Sequence, residues 1–264
     1  MIPKDVVDLV NKNGHHFHYD VVNFLRGRGW TVQVSPYYQD TFTDKLREID
    51  IIAEKPFPVL NIFKQASGSV NVSLFIECKY INSPAIFWFD QKDIPKAIQK
   101  ITQTTPPKQP DENVQINKHH YYYEKEVAKL FDSGKNGEEH DPIYKAINQS
   151  LHALLFSRFM GSIIPSLPNS LPVLHYFQYP IIVVNSFDNF YGVNSSNQSE
   201  TRKIDKYFQL EVNYGYLEEM PNRSLNPKKE YFLIDIVSLD KLEQLLDELE
   251  KNDITAVREM VDTK

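Results

Sequence analysis

The chain has 264 residues, 41% of them hydrophobic and 24% charged, with a net charge of −6. That length supports one well-buried domain over 1–264 rather than two full-size ones, and no apolar run is long enough to cross a bilayer. The lone cysteine, Cys78, excludes an intramolecular disulfide and a cysteine-built zinc centre, and MIPKDVVDLVNKNG lacks a signal-peptide core, so a soluble, cytoplasmic protein is expected. The acidic balance opposes phosphate binding, but it is uneven. Residues 237–264 carry 8 acids and 4 bases, whereas residues 1–100 carry 12 bases and 11 acids.

In chain order, helices are predicted at 3–11 and 16–27, the second with Phe17, Val21, Phe24 and Leu25 on one stripe. RGRGW closes it ahead of a strand at 30–35. His15, His16 and His18 give this helix three imidazoles without a second ligand cluster, and Asp20 lies on a different face from His18. In the next strand, EIDIIAE, Asp50 stands alone among Ile49, Ile51 and Ile52. Between Asp50 and Glu77 lie 26 residues, enough for a further strand at 59–63 and a turn at 67–69, which gives a three-stranded meander. In SLFIECKY, Leu74, Ile76, Cys78 and Tyr80 alternate with Phe75, Glu77 and Lys79. Side chains two apart on a strand share a face about 6.6 Å apart, so Glu77 and Lys79 project together.

Charges in an otherwise apolar strand are costly without a partner. If the Asp50 and Glu77 strands pair, two facing carboxylates make a hard oxygen site for a divalent cation such as Mg²⁺. Lys79 beside them is placed to stabilise negative charge building on a phosphate.

Further on, Phe87, Trp88 and Phe89 fit a core better than a base-stacking platform, and Asp90 is expected to open a helix. Residues 102–142, rich in proline and polar residues, suggest an insertion or lid with a short helix near 123–131. There His119, His120 and Tyr121 to Tyr123 either grip a nucleic-acid strand or pack on themselves. Residues 143–160 hold the strongest helical pattern, with Ile143, Ile147, Leu151, Leu154 and Leu155 on one stripe. Strands are predicted at 179–185, 207–214 and 231–237, the last interrupted by Asp235, with a loop at 194–203. An acidic helix at 239–250, N-capped by Ser238, ends the pattern. Neither a phosphate-cradling glycine loop nor a nucleophile elbow is present.

Asp50 followed by Glu77-Cys78-Lys79 resembles the PD-(D/E)XK nuclease superfamily, although Ile49 stands where the formal motif has proline. The short motif recurs at Asp262-Thr263-Lys264, with no apolar strand around it, and at Asp90-Gln91-Lys92, which follows IFWF and reads as the opening of a helix. Phe17, Val21, Leu25, Gly29 and Trp30 fit, in register, the entry helix of the Mrr-like type IV restriction endonucleases, with His18 where such families often place a glutamate. The resemblance implies an α/β fold: a restriction endonuclease-like mixed β-sheet flanked by helices, with peripheral strands and an insertion. It also implies hydrolysis of DNA phosphodiester bonds, in a restriction or defence setting. Asp50, Glu77 and the Cys78 carbonyl would hold Mg²⁺ or Mn²⁺, and Lys79 would stabilise the pentacovalent transition state. His18, Asp20 and Gln149, the last on the helix covering the sheet, are accessory candidates. The nucleic-acid partner would be DNA, with a homodimer for two-strand cleavage. Two alternatives stay open: a nuclease-like module that binds nucleic acid or protein without cutting, and a salt-bridge cluster on the surface of an edge sheet.

Overall fold

Apolar runs too continuous for a one-sided sheet assemble into ten strands covered on both faces in the computed structural model, which describes residues 15–39, 45–60, 63–102, 116–133, 141–160, 172–195, 197–219 and 225–256. Helix α1 (His15–Gly27) leads into β1 (Thr31–Val34), the small ladder β2 (Tyr37–Gln39) and β3 (Leu46–Glu48), then β4 (Ile51–Leu60), β5 (Ala66–Lys79) and β6 (Ala85–Gln91). After α2 (Ile94–Thr102) and the single turn α3 (His120–Tyr123) come β7 (Glu126–Asp132) and α4 (Pro142–Met160). Strands β8 (Val173–Val184), β9 (Phe190–Asn194), β10 (Asn197–Lys203), β11 (Phe208–Glu219) and β12 (Leu225–Ser238) precede α5 (Leu242–Glu248). The main sheet runs β1-β4-β5-β8-β12-β11-β7-β6-β9-β10 and is mixed, with β8 parallel to both β5 and β12. The fold is α/β.

Each face of the sheet carries its own core. Val21, Val22 and Leu25 of α1, Ala97 and Ile101 of α2, and Leu242, Leu245 and Leu246 of α5 cover one face. The predicted stripe of α4, from Ile143 to Leu155, covers the other. Asp141 starts α4 by accepting the N–H groups of Ile143 (2.7 Å) and Tyr144 (3.0 Å), with Pro142 in the first turn. Gly29, at φ 80°, closes α1 as only glycine does cheaply, and Trp30 N donates back to Leu25 O at 3.1 Å.

Several local expectations change. Instead of a three-stranded meander, β4 and β5 form one long hairpin, and residues 67–69 lie within β5. β1 pairs only with residues 51–54 of β4, and Pro56 and Pro58, which have no N–H to offer, lie in the stretch beyond it. Asp90 lies within β6, which ends at Gln91, rather than opening a helix, and α2 begins at Ile94. The expected helix at 123–131 is β7, because Val127 and Ala128 alternate into a sheet already flanked by β6 and β11. Of the described part of 102–142, residues 126–132 are built into the sheet as β7, while 116–123 form a 3₁₀ turn and α3. Most of the predicted loop at 194–203 is β10. The C-terminal helix is a 3₁₀ turn at Leu239–Lys241, α5, and a π turn at Leu249–Asp253. The Ser238 hydroxyl bonds Asp240 without capping the helix. The predicted helix at 3–11 falls outside the described residues. Among the described residues no helix is long and apolar enough to cross a membrane.

Candidate active site

The β4–β5 register pairs Ile51 with Ile76, so Asp50, one residue ahead of β4, lies opposite Glu77. Alternation along β5 sends Leu74, Ile76 and Cys78 toward the α1 side and Phe75 toward α4. Glu77 and Lys79 therefore face α4, while Asp50, at the bend ahead of β4, reaches Lys79 with one oxygen and His18 of α1 with the other. Because β5 has β4 on one side and β8 on the other, and Glu77 is fully buried, a surface cluster at a sheet edge is not what these residues form.

Their contacts form a closed set. Glu77 Oε2 accepts from Lys79 Nζ at 2.6 Å, and Glu77 Oε1 accepts the Asp50 N–H at 3.3 Å. Asp50 Oδ2 takes the Cys78 N–H at 2.7 Å and lies 3.8 Å from Lys79 Nζ. Lys79 and Asp50 keep 18% and 21% of their side chains exposed, so the set opens toward solvent on one side. Burial pushes the Glu77 carboxyl up to about 8 against the pull of Lys79. Burial by itself would lower Lys79, but Glu77 and Asp50 outweigh it and hold the ammonium charged. Burial favours a neutral Glu77 while the ammonium favours its anion. At 2.6 Å the contact is that of a charged pair.

Gln149 of α4 arrives from above the sheet. Its Oε1 lies 3.5 Å from Lys79 Nζ, its Nε2 donates to Glu48 O at 3.3 Å, and the Tyr38 hydroxyl donates to the Gln149 carbonyl. The side-chain amide is thus anchored through Nε2 while its Oε1 touches the lysine, and Tyr38 holds the backbone carbonyl. His18 comes from α1 on the other layer and places Nε2 3.8 Å from Asp50 Oδ1. That nitrogen is buried and has no hydrogen-bond partner among the described residues. Asp20 does not join: it is exposed and lies 3.7 Å from His16.

Family models, curated proteins and solved structures offer no match to this chain. The chemistry of the site rests on its own geometry.

That geometry fits a divalent cation, through a donor set somewhat different from the expected one. His18 Nε2, an Asp50 carboxylate oxygen and Cys78 Sγ lie within 4.8 Å of one another. Both Glu77 oxygens are taken by protein donors, so the side of Asp50 that faces the orphaned His18 nitrogen is the more open. Burial, followed by Asp50 and Glu77, pushes the Cys78 thiol well up, so its sulfur stays protonated and is a poor ligand.

A second buried charged cluster escaped the sequence patterns. His120 Nδ1 lies 2.5 Å from Asp253 Oδ2 and its Nε2 3.2 Å from Asp235 Oδ2, and all three residues are fully buried. His119 Nδ1 accepts the Tyr121 N–H at 3.1 Å. His119, His120 and Asp253 lie close enough to hold a metal, but His120 donates through both nitrogens and the free lone pair of His119 is already used. These imidazoles are structural. The signal available in the sequence was Asp235, a lone acid within YFLIDIV, whose counterion is a histidine 115 residues earlier.

Proposed function

We propose that this chain is a metal-dependent nuclease that hydrolyses phosphodiester bonds of DNA, on a restriction endonuclease-like variant of its α/β fold. One observation carries the proposal: from two paired strands, Asp50 and Glu77 meet at one end of the hairpin, with Lys79 Nζ 2.6 Å from one carboxylate and 3.8 Å from the other. A buried Glu77 carboxylate set beside a partly exposed Asp50 and Lys79 is costly for stability and suited to an anionic substrate.

Asp50 and Glu77, with the Cys78 carbonyl, are the residues we assign to hold Mg²⁺ or Mn²⁺, and His18 adds a nitrogen donor that suits Mn²⁺ better than Mg²⁺. Such a cation, when bound, supplies Lewis-acid polarisation of the phosphate and a lowered water pKa. Lys79 offers its ammonium to the charge that develops on the phosphoryl oxygens, and Gln149 steadies it. Burial of Glu77 excludes water from the inner wall of the site. Cleavage of both strands of a duplex needs two such sites, so a homodimer, acting in the cytoplasm against foreign DNA, completes the proposal.

A second function has one observation in its favour. Lys79 and the Asp50 N–H already satisfy both Glu77 oxygens, as expected if the site had become a binding module. Incubating supercoiled plasmid with the protein in Mn²⁺, Mg²⁺ or EDTA separates the two. Nicked or linear product that appears only with a metal supports the nuclease, and retarded but intact plasmid under every condition supports the module.

A further inference from the structure

A cavity of about 370 Å³ opens between α2 and the early part of β12, lined by Lys96, Lys100, Lys228, Lys229, Glu230 and Tyr231, among others. Ile236 of β12 aligns through Ile182 of β8 with Glu77, and Glu230 lies six residues back along β12. At the rise of an extended chain this puts the cavity about 20 Å from the level of the Asp50 site, toward the other end of the strands.

Its charge is one-sided. Glu230 is the single acid in the wall, and it is saturated: Lys100 Nζ at 2.8 Å, Arg158 Nη1 at 2.9 Å and Nη2 at 3.1 Å, and the Tyr216 hydroxyl at 2.9 Å all donate to it. One carboxylate between Lys100 and Arg158 leaves a positive excess even before the outer lysines are counted. Lys96 pairs with Asp93 and Lys228 with Glu218, each at 2.8 Å, but both pairs are solvent-exposed and worth little. Among the described residues no carboxylate comes within ion-pair distance of Lys229, which is exposed.

Lys96 and Lys100 share a helical face at a four-residue spacing, where like charges repel, and Lys229 alternates with Lys228, whose ammonium turns to Glu218 and the Tyr216 ring. At one concavity of a chain whose net charge is −6, Lys229 has no carboxylate partner among the described residues, and Lys96 and Lys100 add their charge beside it. The volume falls in the range of small-ligand sites, and lysine is a mobile point-charge donor suited to phosphate.

We propose that this cavity binds a phosphate-bearing anion, held by Lys96 and Lys229 over the fixed Lys100–Glu230–Arg158 base. It is independent of the cleavage site and stands whether or not the chain cuts DNA. Phosphate chemistry has two sources, a free phosphorylated small molecule or the backbone of a nucleic acid.

The test is calorimetric titration of the full chain, in EDTA, with sodium pyrophosphate and separately with a short DNA duplex. Wild type, Lys229→Glu, Lys96→Glu and Lys79→Ala are compared, with thermal melts to verify folding. Saturable binding that weakens by about tenfold or more in each charge reversal, declines with added salt and persists in Lys79→Ala is the expected result. Tighter binding of the duplex than of pyrophosphate assigns the phosphate to nucleic acid, and the reverse order assigns it to a free ligand. No saturable binding of either probe, or binding untouched by both reversals in folded protein, overturns the proposal.

Discussion

Two clusters in this molecule use the same ingredients, carboxylates with a basic side chain, and end differently. Around His120 every member is buried and each imidazole nitrogen meets a carboxylate, so the cluster ties the turn at His119 to β12 and to the C-terminal Asp253. Around Asp50 a lysine and an aspartate stay partly exposed, and one histidine nitrogen, on His18, is buried without a partner among the described residues. A charged cluster sealed from solvent, even with one Asp235 oxygen unpaired among the described residues, is a fastener. One that keeps an opening beside its unpaired nitrogen is a place for chemistry.

The sharpest way to break that contrast is to damage the fastener. His120→Ala removes the imidazolium between Asp235 and Asp253, and should cost about 3–5 kcal/mol of stability in a denaturant titration. The site substitutions should not do so. Wild type should also show the fastener in its pH profile. Burial alone would depress His120, but Asp253 and Asp235 raise it to about 10, while burial holds neighbouring His119 down to about 3. A histidine whose folded pKa exceeds its unfolded value stabilises fully below about 6.5 and loses that contribution as pH rises through 10. Melting temperature should therefore drop between these limits, and much less so in His120→Gln.

On the open cluster, Asp50→Asn should lower metal-dependent cleavage by about 10²–10³-fold with little change in melting temperature. A smaller effect is expected one step out. His18→Ala should weaken Mn²⁺ binding by about 10–100-fold while affecting Mg²⁺ less, as read by titration of each metal. Equal losses for both metals would remove the nitrogen-donor role given to His18.

Much of the fold was legible because periodicity reports burial directly. The α4 stripe, the run in β8 and the close of α1 at Gly29 all appear where the pattern puts them. Asp50, Glu77, Lys79 and Gln149 meet as their strand and helix positions suggested. What failed were segments whose partners are distant. β7 reads as a helix until β6 and β11 are known to flank it, and β10 reads as a loop because it is polar and sits at the sheet's edge. Asp235 and His120 looked unrelated because 115 residues separate them. Asp20, two residues from His18, was drawn toward the site by sequence proximity, but it is exposed and paired with His16.

The most direct measurement is plasmid cleavage by wild type and Lys79→Ala, side by side in Mn²⁺ and in Mg²⁺. Removing the ammonium beside Glu77 should reduce the cleavage rate by about a hundredfold or more and leave the protein folded. Metal-dependent cleavage of equal rate in both proteins would contradict the role given to Lys79, and with it the assignment of the Asp50–Glu77–Lys79 cluster as the catalytic centre.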